Sequence, residues 1–172
     1  ISNALSVMAI AQILKLDTDT IQKGLLSFQG TNRRFQYKGE IGGITIIDDY
    51  AHHPTEIKVT LEAARQKYPN KQLVAIFKPN TYSRTEKFYK EFADVLNIAD
   101  KCFLTEIDCN RERKEDYSYV TSKVIFDLLK NGEMIDERDV EKIANYKDSV
   151  ICLMSCASVA HLKENLIKVL EK

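Results

Sequence analysis

Ile44-Thr45-Ile46-Ile47-Asp48-Asp49-Tyr50-Ala51-His52-His53-Pro54-Thr55-Glu56 decides how the rest of the chain is read. Ile44 to Ile47 is β-branched throughout, which suits a buried strand. Two carboxylates, a phenol and two imidazoles follow it. Pro54 falls where a first helical turn begins, because its fixed φ and missing N–H are tolerated there. Ile57, Leu61, Ala64 and Tyr68 recur at helical spacing, so a helix is predicted over 54–68. In open α/β sheets ligands bind outside the carboxyl ends of strands, which makes this ionisable cluster a site candidate. The bland alternative is a helix cap, Asp48-Asp49 being favourable at the positive end of the helix, beside two solvated histidines. Adjacent histidines point in different directions, unlike the one-turn spacing of helical zinc motifs, so no metal site is predicted.

Working outward, Phe35 to Ile41, Gly42-Gly43 and Ile44 to Asp49 read as two strands joined by a tight glycine turn. Beyond the 54–68 helix, strands are predicted at 73–77, 101–106 and 150–154, with a short one at Met134-Ile135. Helices are predicted at 83–97 (Phe88, Phe92 and Leu96 inward), 117–130 (Val120, Val124 and Leu128 inward), 140–146 and 159–170. The alternation argues an α/β fold: a Rossmann-like, mostly parallel sheet with helices on both faces and a hairpin at its start. Before it, Asn3 to Leu16 reads as a helix with Leu5, Met8, Ala9, Ile13 and Leu16 on one face. Asp17-Thr18-Asp19 caps a second, carrying Ile21, Leu25, Leu26 and Phe28. These two helices have no sheet of their own to cover, so residues 1–29 are expected to close a preceding domain. Gly30-Thr31-Asn32 is the expected hinge, and 30–172 the α/β domain.

The 172 residues carry 25 basic and 25 acidic side chains, interspersed. No basic stripe points to nucleic acid or to an anionic membrane. No apolar run approaches the roughly 20 residues of a membrane helix. The chain starts at Ile1 without a leader pattern and is read as a fragment. Cys102, Cys109, Cys152 and Cys156 form no C-x-x-C pair, and Cys102 and Cys152 fall in apolar strands. Reduced thiols and a cytoplasmic setting are expected.

A second cluster is Pro79-Asn80-Thr81-Tyr82-Ser83-Arg84-Thr85-Glu86. Ser83 and Glu86 have capping-box spacing, so the helix is predicted to begin at Ser83. Arg84 then lies in the first turn, against the positive end of the helix dipole. A bound anion would resolve that conflict, and the carboxylate of a free amino acid is one that a guanidinium grips in bidentate fashion. The bland alternative pairs Arg84 loosely with Glu86, a contact worth little. The sequence has no G-x-x-x-x-G-K-[ST], no G-x-G-x-x-G and no G-x-S-x-G. It carries no phosphate loop of its own.

FQGTNRRF at 28–35, DDYAHHPTEI at 48–57, TLEAAR at 60–65 and PNTYSRT at 79–85 resemble, in that order, the C-terminal region of the Mur ligases. The resemblance runs from Asn3 to about Glu112 and is to the branch that adds L-alanine to UDP-N-acetylmuramate. It implies ATP and Mg2+, bound mostly by a central domain upstream of Ile1, and an acyl-phosphate intermediate. It implies own N-terminal and central domains as partners, with the C-terminal domain closing on them. Asn3 matches the second asparagine of the family's H-N-x-x-N, which faces the adenine. Arg34 matches the last arginine of R-R-F, near the nucleotide, and Asp49 the aspartate that bonds the ATP ribose, with Asp48 as a supporting neighbour. Tyr50, His52 and His53 match Y-x-H-H. Tyr50 and His52 are thereby placed at the amino-acid pocket, with His52 a candidate general base because imidazole titrates near neutrality. Arg84 matches the arginine that holds the L-alanine carboxylate. The family usually has Gln and His where this chain has Lys78 and Asn80, and M-G-A-G-D where it has Met154-Ser155-Cys156-Ala157-Ser158. That last segment is nearer to the D-glutamate-adding branch, and no role is assigned to 155–158 or to Arg111-Glu112. Two alternatives stay open: a related ligase that recycles murein tripeptide, and a non-catalytic α/β binding module.

Overall fold

The computed structural model describes residues 2–28, 30–109, 111–138 and 140–170. They form two compact units, divided between Asn32 and Arg33. The first unit holds helix α1 (Ser2–Ile13) and helix α2 (Thr18–Ser27). Asp17 caps α2 by accepting from the Thr20 amide at 2.8 Å. The apolar face predicted for α1 is not buried: Leu5, Met8, Ile13 and Leu16 are all exposed, and among the described residues of α1 only Ala11 is buried. Two short helices have too little surface between them to cover those side chains.

The second unit is built on six strands: β1 (Gln36–Ile41), β2 (Ile44–Asp49), β3 (Gln72–Phe77), β4 (Lys101–Leu104), β5 (Gly132–Met134) and β6 (Ser149–Met154). They lie in the order β1-β2-β6-β3-β4-β5. β1 pairs antiparallel with β2 and every other pairing is parallel. The β1–β2 turn needs φ > 0 at both central positions, and Gly42 (59°) and Gly43 (82°) supply it. β2 and β6 are buried along their whole length, as expected of strands covered on both faces.

Helices α3 (Pro54–Lys67), α4 (Tyr82–Leu96) and α5 (Lys123–Phe126) cover one face. There Ile57, Leu61, Phe92, Leu96 and Ile125 meet Ala75, Phe77, Leu104 and Cys152. Helices α6 (Glu141–Ala144) and α7 (Ala160–Leu170) cover the other, where Ile143, Leu162 and Leu166 meet Ile46, Val74, Ile76 and Leu153. Alternate residues of β3 thus serve opposite cores, as the two-residue period of a strand requires.

Two further expectations fail. The helix predicted over 117–130 is instead a 3₁₀ turn at Lys114–Tyr117 followed by the four-residue α5, and Leu128 is 45% exposed. The amides of Val120 and Val124 bond only three residues back, to Tyr117 and Thr121, and the Thr121 hydroxyl accepts from the Lys123 amide. Hydroxyl side chains in this Ser-Tyr-Val-Thr-Ser run favour such turns over helix. The Ser83–Glu86 capping box does not form. Thr81 is the N-cap and makes no side-chain cap, Ser83 donates to Glu112, and Glu86 accepts from the Tyr119 hydroxyl.

Candidate functional site

With five parallel strands, the carboxyl ends of β2, β6, β3, β4 and β5 share one edge, and the loops that leave them build the site. At the end of β2 the buried Asp49 is 6% exposed. Its Oδ2 accepts from the Phe35 amide at 2.6 Å and its Oδ1 from the Ala51 amide at 2.7 Å. Tyr50 in turn donates its amide to the Arg33 carbonyl at 2.7 Å. These bonds hold Arg33-Arg34-Phe35 in a turn with φ of 55° at Arg33 and 46° at Phe35, a region that costs non-glycine residues energy. The turn separates the two arginines. Arg33 reaches inward, with Nε 3.1 Å from Asp48 Oδ1 and Nη2 donating to the Ser155 carbonyl at 2.6 Å. Arg34 stays exposed, its guanidinium 5.5 Å from the Tyr50 ring centre. Asn3 belongs to the other unit, in the first turn of α1, with an exposed side chain.

His53, not an aspartate, caps α3. Its Nδ1 accepts from the Thr55 amide, and Glu56 closes the capping box by accepting from the His52 and His53 amides. Burial pushes the Glu56 carboxyl up, but those amides and the neighbouring His52 and Arg34 outweigh it and hold it below the usual range. The His52 Nδ1 lies 2.9 Å from the Tyr50 carbonyl and 3.1 Å from Glu56 Oε2. Both neighbours are acceptors, so Nδ1 is the ring nitrogen that donates.

Tyr50 and His52 line a cavity of about 400 Å³ together with Asn80, Thr81, Arg84, Asp108, Arg111 and residues 156–158. Four loops therefore converge, and three of the residues picked out in the sequence, Tyr50, His52 and Arg84, stand around one space. Arg84 Nη1 is buried without a hydrogen-bond partner, and so is the Thr81 hydroxyl. Buried polar groups normally have partners. Arg84 also lines the cavity, and a guanidinium with an unpaired nitrogen suits an anionic ligand.

Lys78, a departure from the family pattern, is buried at the end of β3. Its Nζ pairs with Asp108 at 2.6 Å and with Glu137, and donates to the Ser158 carbonyl at 3.1 Å. Burial alone would lower its proton affinity, but the two carboxylates outweigh this and hold the ammonium above its ordinary range. Lys78 thus ties the loops after β4, β5 and β6 to the end of β3. Asn80 donates to the Asp108 carbonyl at 3.0 Å, and Ser155 Oγ donates to the Lys78 carbonyl at 2.8 Å. A second, larger cavity of about 800 Å³ is lined by Lys78 and shares Asp108 and Ser158 with the first. Among the described residues no group of three or more His, Cys, Asp or Glu side chains is placed to hold a metal ion.

Sequence reasoning missed Asp108, Arg111 and Glu112 as members of the site. They come from an irregular loop with no periodicity, and the Arg-Glu pair at 111–112 was the one visible signal.

Residues 33–156 match the family described as Mur ligase, glutamate ligase domain. The UDP-N-acetylmuramate–L-alanine ligase of Lactobacillus acidophilus is 40% identical over 99% of this chain, and that of Agathobacter rectalis 44% over 98%. The chain spans 38% of the length of each of these relatives. Among solved structures, the UDP-N-acetylmuramate-alanine ligase of Thermotoga maritima matches 96% of the chain with a TM-score of 0.76 and 26% identity. The chain covers 36% of that structure. A murein peptide ligase of Psychrobacter arcticus matches 98% of the chain with a TM-score of 0.70 and 25% identity, again over 36% of its own length. With the matched span covering the hairpin, the site loops and β6, the chain belongs to the Mur ligase family.

Proposed function

We propose that the chain is the C-terminal, amino-acid-binding part of an ATP-dependent ligase that joins L-alanine to UDP-N-acetylmuramate in peptidoglycan precursor synthesis. The observation that carries this is the Arg84 guanidinium, buried and unpartnered at Nη1, in a cavity lined by Tyr50 and His52. Arg84 holds the alanine carboxylate there. His52 presents Nε2 as the base that takes a proton from the amine as it attacks the activated carboxyl carbon and phosphate leaves. Tyr50 walls the pocket. ATP would supply the phosphoryl group that activates the sugar's lactyl carboxylate, and Mg2+ would neutralise its charge. The phosphate loop and metal ligands belong to a central domain. The exposed apolar surface of α1 supports reading residues 1–29 as closing helices of that domain, with Asn3 facing the adenine. Arg34, exposed beside Tyr50, suits a phosphate or ribose oxygen. Asp49 keeps spare lone pairs for a ribose hydroxyl only after serving Phe35 and Ala51. No helix among the described residues is long and apolar enough to cross a membrane, and the described cysteines are free. The free thiols suit a cytoplasmic setting. A murein-tripeptide recycling ligase is a second reading, favoured by the larger cavity adjoining the first.

The test uses the full-length enzyme. A charge-assisted contact of about 1.5–3 kcal/mol is lost in Arg84→Ala, so kcat/KM for alanine falls roughly 10- to 150-fold. Arg84→Lys recovers part of it, because an ammonium lacks the planar fork. Alaninamide, without a carboxylate, is a poor substrate for the wild type and little worse for the variant. Equal losses with both substrates would remove Arg84 from the carboxylate site, and turnover of murein tripeptide in preference to alanine would favour the second reading.

A further inference from the structure

Glu112 lies in the loop after β4 and reaches the first turn of α4. Its Oε2 accepts from the Tyr82 amide at 2.7 Å, from the Ser83 amide at 3.2 Å and from the Cys109 thiol at 3.7 Å. Its Oε1 accepts from the Ser83 hydroxyl. A helix leaves its first amides unpaired, and Thr81 at the N-cap offers no side-chain bond, so Glu112 supplies the cap from a distant loop. Burial pushes the Glu112 carboxyl up, but the Ser83 hydroxyl, the Ser83 and Tyr82 amides and the Cys109 thiol outweigh it and hold it below the usual range. It is an anion at neutral pH. Arg84 follows Ser83 directly, Arg111 precedes Glu112 directly, and both arginines line the 400 Å³ cavity. A single carboxylate therefore fixes the two segments that carry the two guanidiniums.

We propose that Glu112 is a positioning residue of the amino-acid site, which sets Arg84 through the first turn of α4 and Arg111 through its own loop, so that both guanidiniums meet one small α-amino acid carboxylate. The proposal rests on the reading of Arg84 above. Glu112 occupies the helix end that would otherwise draw the ligand's carboxylate, and it relieves the first-turn cation of the dipole's repulsion. Its oxygens accept from Tyr82, Ser83 and Cys109, and Arg84, unpaired at Nη1, stays on the cavity wall.

The test is steady-state kinetics of the full-length ligase with Glu112→Ala, Glu112→Gln, Ser83→Ala and Arg84→Ala. KM for alanine should rise about tenfold or more in Glu112→Ala, as expected when a charged hydrogen-bond acceptor is lost. It should rise less in Glu112→Gln, whose amide oxygen keeps one acceptor, and less again in Ser83→Ala, which leaves the backbone bonds in place. KM for ATP should stay within about twofold, and kcat/KM for alaninamide should not change, because only a carboxylate reads the two arginines. Alanine KM within about twofold of wild type in Glu112→Gln and Glu112→Ala would overturn the proposal, and so would equal losses for alanine and alaninamide. If Glu112→Ala does not fold, Glu112→Gln decides. Normal alanine KM in Arg84→Ala would sink the reading of the site itself, whereas a raised KM in Arg84→Ala with normal Glu112 variants would sink only the positioning role.

Discussion

Asp49 holds a strained turn before it can touch any ligand. Its two oxygens fix the Phe35 and Ala51 amides, and between them the chain passes through φ > 0 at Arg33 and Phe35. The same turn sends Arg33 inward to Asp48 and the Ser155 carbonyl and leaves Arg34 outside. Asp49→Asn keeps one acceptor oxygen but sets an NH2 group against an amide that needs an acceptor. An unsatisfied buried donor costs about 1–3 kcal/mol, and the turn loses its restraint. The expected result is a lower urea midpoint for the domain, together with a higher KM for ATP in the full-length ligase as Arg34 is released. A raised KM for ATP with an unchanged midpoint would show that the aspartate acts on ATP alone. No change in either would leave the strained turn self-supporting.

At the scale of elements, the Arg65–Asp100 pair joins α3 to the loop between α4 and β4. Arg65 donates to both Asp100 oxygens, at 3.0 and 2.8 Å, and Asp100 also accepts from the Leu73 amide at 2.7 Å. Burial pushes the Asp100 carboxyl up, but Arg65 and the Leu73 amide outweigh it, and the carboxyl sits below the usual range. A carboxyl held low when folded stabilises above its unfolded pKa of about 3.9, and that contribution is lost as pH falls through the lower folded value. The pair is partly exposed, so solvent screens it, and Asp100→Asn should cost about 1–2 kcal/mol at neutral pH. The gap in Tm between wild type and Asp100→Asn should be constant above about pH 5 and close below about pH 3. A gap that persists at low pH would assign the effect to shape rather than charge. Neither this staple nor the Lys78 hub is legible in the sequence, because each joins residues far apart along the chain. What periodicity reports is local. The β-branched run at 44–47, the Gly42-Gly43 turn and Pro54 each fix their element from within it, and the strands and longer helices follow. The 117–130 segment misled for the same reason: Val120, Val124 and Leu128 keep helical spacing, yet hydroxyl-bearing neighbours bond the backbone into tight turns. The site divides likewise. Tyr50, His52 and Arg84 could be picked out from residue type and motif, whereas the capping role of Glu112 depends on a loop with no pattern.

At the scale of the molecule, the described residues that build the two cores of the α/β unit lie between Phe35 and Leu170. Both cores draw on β2, β3, β4 and β6, one with α3 to α5 and the other with α6 and α7, and neither includes a residue of α1 or α2. Residues 33–172 should therefore unfold in one cooperative transition, and its midpoint should agree with that of the same unit within residues 1–172. Nucleotide affinity should not follow the fold. The sequence holds no phosphate loop, Asp49 is already bonded on both oxygens, and Arg34 is one exposed cation. A lone charged contact of about 1.5–3 kcal/mol falls far short of the roughly 8 kcal/mol that micromolar binding needs. Calorimetric titration of residues 1–172 with ATP and Mg2+ should show no micromolar site, while the full-length ligase should show one. Micromolar binding by the shorter chain would mean that this domain carries a nucleotide site of its own, and the division of labour between it and a central domain would have to be redrawn.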